Sequence, residues 1–332
     1  MLKVKNLKTV FKVGDKSTVA VDGISFDVPK KSIVGIVGES GSGKSVTALS
    51  ILDLLPNNGK VENGQIIYQD QNLQNLTKKE MQKIRGSEIG LIFQNPLASL
   101  NPVFSIGNQM IETILLHQDV NKKEAKALAI ELLKKVNIPD PEHRINDYPH
   151  QFSLGMCQRI MIALTLSMKP TLLIADEPTA SLDVTIQAQI LDLLMKIKDE
   201  FDMSILIISH DLGVIAQFCD YIVVMYLGKI VEKGVPKEIF SNPQHPYTKA
   251  LISAIPKPDP SAKTPVSLLR GDVPSTMNVP KGCHFHPRCP NVMPECSALI
   301  PTLEKVKNGS EVACLLYQIY PSEVVSNAKA DD

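Results

Sequence analysis

Eight residues constrain this chain more than any others: Gly38-Glu39-Ser40-Gly41-Ser42-Gly43-Lys44-Ser45. They match the phosphate-binding pattern G-x-x-x-x-G-K-[ST]. The apolar run Ser-Ile-Val-Gly-Ile-Val over 32–37 precedes them, and helix-forming residues from Val46 follow. A strand, a glycine-rich turn and a helix in that order let backbone N–H groups approach phosphate oxygens, with the helix N-terminus adding positive potential. In this pattern Lys44 reaches the terminal phosphates and Ser45 ligates Mg.

The rest of the chain reads as the α/β fold such a loop requires. Lys122 to Val136 is rich in strong helix formers with helical periodicity, and so predicts an amphipathic helix. A buried strand is expected over Leu172-Leu-Ile-Ala175, then a helix with Ile186, Ile190, Leu193 and Ile197 on one face, then a strand over Ile205 to Ile208. Strands alternating with helices at these lengths imply a parallel core. The opening segment, Leu2 to Val28, has the alternation and turn signals of an antiparallel sheet beside that core.

Leu172 to Ala175 ends in Asp176 and Glu177. Two carboxylates at a strand end in such a protein are expected to hold Mg (Asp176) and to polarise an attacking water (Glu177).

With these features in place, the stretch from Lys3 to about Pro256 resembles the nucleotide-binding domain of ABC transporters. The fold implied is a P-loop NTPase of ABC type: a parallel core sheet, an antiparallel β subdomain, a helical subdomain over about 95–165, and an irregular C-terminal extension. The resemblance implies ATP and Mg2+ as bound groups, and it gives roles to further residues. Gln94 in Ile-Phe-Gln-Asn-Pro matches the glutamine that touches Mg and links the site to the membrane subunit. Ser153 and Gly155 lie in Phe152-Ser-Leu-Gly-Met156, at the family's signature sequence. Asp183 in Ser-Leu-Asp matches the D-loop, and His210 the switch histidine that contacts the γ-phosphate. Phe11 lies where the family stacks an aromatic on adenine, although a strand-face core residue is an equal reading. In the family two such domains meet head to tail, each ATP lying between one chain's P-loop and the other's signature. Here Leu154 replaces the signature's first glycine and Met156 its last residue, which points to a heterodimer with unequal sites.

Four cysteines, Cys283, Cys289, Cys296 and Cys314, are separated by five, six and seventeen residues. Ten of the chain's 23 prolines fall between Pro256 and Pro301, so regular structure is expected to be sparse there. In a chain without an export signal, clustered thiols point to a metal before disulfides. The wide spacing favours a [4Fe–4S] cluster over Zn2+, with His284 and His286 as alternative ligands. Cys157 and Cys219 read as small buried apolar residues.

His245-Pro-Tyr-Thr-Lys-Ala-Leu251 and Gly282-Cys-His-Phe-His-Pro-Arg-Cys-Pro290 resemble the C-terminal extension of the ATP-binding subunits of dipeptide and oligopeptide importers. Nickel importers are close relatives. The resulting expectation is a domain over 1–255, an extension over 256–320 and a tail over 321–332. Expected partners are a second ATP-binding subunit, two permease subunits and, through them, an extracellular peptide-binding protein.

Lys and Arg number 35, as do Asp and Glu, so no basic block favours nucleic acid. The N-terminus lacks the continuous apolar stretch of a signal peptide, and no apolar run reaches the roughly 20 residues needed to span a bilayer. The expected location is therefore peripheral, on the cytoplasmic face of the cell membrane. A DNA-repair or chromosome-structural ATPase would carry long insertions between loop and signature, and no extended heptads appear there.

Overall fold

The alternation at the N-terminus builds two long strands, Leu2–Val13 and Lys16–Val28, each burying one face. In the computed structural model, which describes residues 1–255 and 271–319, the chain divides into two compact units. Residues 256–270, the first part of the proline-rich stretch, and residues 320–332, with the expected tail, fall outside the described residues.

One unit holds residues 2–27, 34–68 and those from 209 onward. Leu2–Val13 pairs antiparallel with Gly59–Tyr68, from Leu2 opposite Tyr68 to Phe11 opposite Gly59, with a register shift near Lys8. Ile33–Val37, apolar on both faces and wholly buried, pairs parallel with Tyr221–Tyr226. Such continuous apolar runs are what a strand covered on both sides demands. Tyr221–Tyr226 turns back antiparallel into Lys229–Gly234. Residues of the C-terminal segment then continue the sheet: Val312 lies opposite Glu232, and Glu304 opposite Val312. Otherwise residues 271–319 hold only short helical turns and a five-residue helix, Leu315–Ile319.

The other unit contains the parallel strands Ile89–Ile92, Leu172–Asp176 and Ser204–Ser209. Leu172, Leu173, Ile174 and Ala175 are fully buried. Three helices, Ile106–His117, Lys122–Lys135 and Leu154–Leu166, pack against one another. Each begins where a side chain supplies the acceptor that the first turn lacks: Ser105, Asn121 (in a capping box with Glu124) and Ser153. A fourth, Val184–Glu200, is capped by Asp183 and buries Ile190, Leu193 and Ile197.

Candidate functional site

The glycine loop is shaped by close backbone approach. A Cβ at Gly38 would lie 2.2 Å from the carbonyl oxygen of Met225, so only glycine fits. Gly43 adopts φ 100°, a left-handed conformation that L side chains avoid. The helix Lys44–Ile51 that follows has no side-chain cap, so its positive end is left to the loop. Lys44 is buried, and its Nζ donates to the carbonyl oxygens of Gly38 (2.8 Å) and Glu39 (3.1 Å). Ser42 Oγ is buried without a hydrogen-bond partner. Ser40 and Gly41 are exposed, while Ser45 and Val46 are half-buried. A buried ammonium, an orphaned hydroxyl and an uncapped helix end fit a polyphosphate, whose oxygens satisfy all three.

Glu39 is held by two residues given no role above. Arg288 grips its carboxylate with two hydrogen bonds, 2.6 and 3.2 Å long, and its backbone N–H donates to Tyr247 Oη at 2.8 Å. The only sequence signal for either was its place in a family-like segment.

In the other unit, Glu177 follows its strand in the left-handed region, φ 46°. A non-glycine residue there carries about 1–3 kcal/mol of strain, a cost that tends to cluster at functional positions. Its backbone is pinned: the N–H donates to the carbonyl of Ile208 and the carbonyl accepts from Ala180 N. Its Oε2 accepts from Gln94 Nε2 at 3.0 Å. Gln94 and Glu177, 83 residues apart, are thus brought together, with half-buried Asp176 immediately before Glu177.

Ser153 caps its helix, its hydroxyl accepting from Met156 N. Ser153, Leu154, Gly155, Ser181 and Asp183 share one cleft of about 990 Å³. Neither Leu154 nor Gly155 has positive φ. Gly155 instead meets a packing limit, since a Cβ there would lie 3.0 Å from Ile186. His210 is exposed, and its neighbour Asp211 caps the short helix Leu212–Ile215. Phe11, half-buried, lies across Gly59, where a Cβ would meet its ring at 2.6 Å.

The metal expectation for the cysteines is corrected. Among the described residues no group of three or more His, Cys, Asp or Glu side chains is disposed to hold a metal ion, so Cys283, Cys289, Cys296 and Cys314 do not form the [4Fe–4S] site that their spacing favoured. All four are free, and burial disfavours thiolates: the Cys283 pKa is raised, Cys289 is pushed up to about 11 and Cys314 to about 12. The alternative ligands are engaged elsewhere, His284 Nδ1 with the carbonyl of Leu227 and His286 Nδ1 with that of Cys283, each at 2.9 Å. Cys157 and Cys219 are buried, as expected of core residues.

Comparison with known proteins agrees with this geometry. Residues 21–180 match the ABC transporter family, and residues 231–296 match the C-terminal region of oligopeptide/dipeptide transporters. The chain is 46% identical to the oligopeptide transport ATP-binding protein AppD of Bacillus subtilis, over 96% of this chain and 97% of that one. It is 44% identical to the dipeptide transport ATP-binding protein DppD of the same organism, over 100% and 99%. With the oligopeptide transport ATP-binding protein OppD of Escherichia coli the identity is 42%, over 95% and 92%. Among solved structures, the dimeric post-hydrolysis state of the ATP-binding cassette MJ0796 bound to ADP and Pi superposes with a TM-score of 0.64 at 27% identity, covering 71% of this chain and 99% of that one. Loop, strands and extension together lead to one family: the chain belongs to the ABC transporter ATP-binding proteins that carry the oligopeptide/dipeptide transporter C-terminal region.

Proposed function

We propose that this chain hydrolyses ATP to power the import of oligopeptides or dipeptides through a membrane permease. The observation that carries the reading is the buried Lys44 ammonium, held at the mouth of a glycine loop beside an uncapped helix end. The similar relatives are named for oligopeptides and dipeptides, which favours a peptide over nickel as cargo.

Phosphoanhydride hydrolysis needs charge neutralisation and an aligned water more than covalent chemistry. In this scheme the N–H groups of 38–46 and Lys44 bind the phosphates. Ser45, Gln94 and Asp176 are hard oxygen donors that suit Mg2+, which supplies charge neutralisation when bound. Glu177 orients water, and its hydrogen bond from Gln94 fixes the carboxylate rotamer. His210 contacts the terminal phosphate, and Phe11 the adenine. Ser153, Gly155 and Asp183 act on the nucleotide of a second ATP-binding subunit.

Leu154 at the signature supports a heterodimer whose partner supplies an unaltered signature to this chain's own loop. Phe93, Leu97, Val103 and Phe104, all exposed and flanking Gln94, support docking on a permease subunit. No helix among the described residues is long and apolar enough to cross a membrane. The proposed permease partners would hold the chain peripherally, at the cytoplasmic face. A peptide-binding protein then acts through the permease. Co-purification with two membrane subunits and a second ATP-binding subunit, together with equilibrium binding of MgATP, tests the reading; a chain that binds no nucleotide sinks it.

A further inference from the structure

Glu39 places a carboxylate in the turn that has to accept a polyphosphate, where like charge opposes binding. In the structure that charge is not left open. Arg288 Nη1 lies 2.6 Å from Glu39 Oε2 and Nη2 lies 3.2 Å from Oε1, a bidentate fork. The Arg288 side chain is only 6% exposed, against 28% for Glu39. Such a buried guanidinium is costly unless a fixed anion faces it.

The surroundings fix Arg288 as firmly as it fixes Glu39. It sits in the short turn His286–Arg288, directly after fully buried Phe285, and its guanidinium lies 5.9 Å from the ring centroid of Tyr226. Tyr226, Tyr247 and Phe285 pack edge to face or tilted, with centroids 4.8–5.4 Å apart. Tyr247, from the same aromatic cluster, accepts the Glu39 N–H. Side chain and backbone of one loop residue are therefore both gripped from beyond residue 245. Burial works against the Arg288 charge, but the hydrogen bond and charge of Glu39 outweigh it, and its pKa is raised.

We infer that the C-terminal segment is a charge-neutralising clamp on the phosphate loop: Arg288 cancels the repulsion that Glu39 would exert on a nucleotide polyphosphate, and Tyr247 holds the loop backbone in place. Both are positioning residues for nucleotide affinity. The inference rests on reading the loop as the ATP site.

The test is equilibrium titration of the full-length chain with the magnesium complex of a non-hydrolysed ATP analogue. Removing the cation alone, in Arg288→Met, leaves Glu39 uncompensated and should weaken binding about 10-fold. Removing both charges, in Glu39→Gln with Arg288→Met, should restore affinity to within about 3-fold of wild type, because the repulsive charge has gone too. A merely structural Arg288 predicts instead that the double variant binds no better than Arg288→Met. That result, or wild-type affinity in Arg288→Met, overturns the clamp. Absence of binding by the wild-type chain would instead overturn the reading of the loop. Thermal melts report whether each variant folds. If Arg288→Met does not, Arg288→Lys decides the matter: it keeps the charge but breaks the fork, and its affinity deficit should shrink as salt rises. A deficit indifferent to salt contradicts the clamp.

Discussion

The phosphate loop and the four-cysteine segment are the two parts of this molecule densest in chemistry-bearing residues, and the structure treats them in opposite ways. Around residues 38–45 binding capacity is kept available: the helix end has no cap, Ser42 Oγ has no partner, and the Lys44 ammonium rests on two carbonyls that a phosphate can outbid. Across 283–314 it is used up. The two histidines are tied to backbone carbonyls, Cys283 N donates to the Cys296 carbonyl, and burial raises the pKa values of Cys283, Cys289 and Cys314. Residue type and spacing therefore made both segments candidates, but a site also needs groups left unsatisfied and surroundings that tolerate the charged form. Arg288 joins the two regions, since the segment whose thiols form no metal site contributes the cation that pairs with Glu39.

The sharpest way to break the contrast is at the loop. Lys44→Ala should weaken MgATP binding by at least about 100-fold, since a desolvated ammonium facing phosphate has no substitute nearby. Titration of the purified variant checks this, and affinity near wild type would place the nucleotide elsewhere.

A smaller effect tests the segment's packing through pH. His245 caps the helix Pro246–Ser253 by accepting the Tyr247 N–H at Nδ1, and burial, with a lesser contribution from Lys249, pushes its pKa down to about 3. The unfolded ring titrates near 6.5. From pH 6.5 down to about 3 the unfolded chain therefore binds a proton that the folded chain refuses, and stability falls as pH drops. Glu232, which accepts the N–H groups of Gln244 and His245, has a pKa raised by burial and acts in the opposite sense just above its ordinary value. His245→Asn keeps an acceptor but cannot titrate. Between pH 7 and pH 5 it should lose about 2 kcal/mol less stability than wild type, as denaturant melts would show. Parallel pH profiles for the two proteins would remove His245 as the cause.

Two weaker effects follow. Leu154→Gly should raise hydrolysis at the site built on the partner's loop by roughly 3-fold, because a branched side chain then no longer crowds the signature's approach. An unchanged rate in a site-resolved assay would make the departure neutral and end the case for unequal sites. Alkylation of Cys289 in the folded chain should be slow at pH 8 and rise about 10-fold per pH unit towards its pKa of about 11. Fast labelling at pH 8 would mean that the thiol is not protonated as described.

What could be read from the residues alone was local. The loop, the apolar strand ending in Asp176-Glu177 and the helix over Lys122–Lys135 each carry their signal within a few consecutive residues. Three features were not legible. The left-handed backbone at Glu177, whose N–H donates to the Ile208 carbonyl, is announced by no glycine. The Arg288–Glu39 pair joins residues 249 apart in sequence, and nothing short of the fold sets them side by side. The cysteine spacing suggested ligands, but whether a thiol ionises depends on its burial, which spacing does not encode.

Glu177 is the residue proposed to turn bound ATP into hydrolysed ATP, with that hydrolysis driving peptide import. The most direct measurement compares peptide-stimulated ATP turnover by the assembled transporter in liposomes, wild type against Glu177→Gln, with MgATP binding measured on the same preparations. Turnover should fall at least about 100-fold while binding persists, because the substitution keeps the shape and the hydrogen bond to Gln94 but removes the carboxylate that orients water. Turnover that survives the substitution, or that is indifferent to peptide in the wild type, would contradict the account.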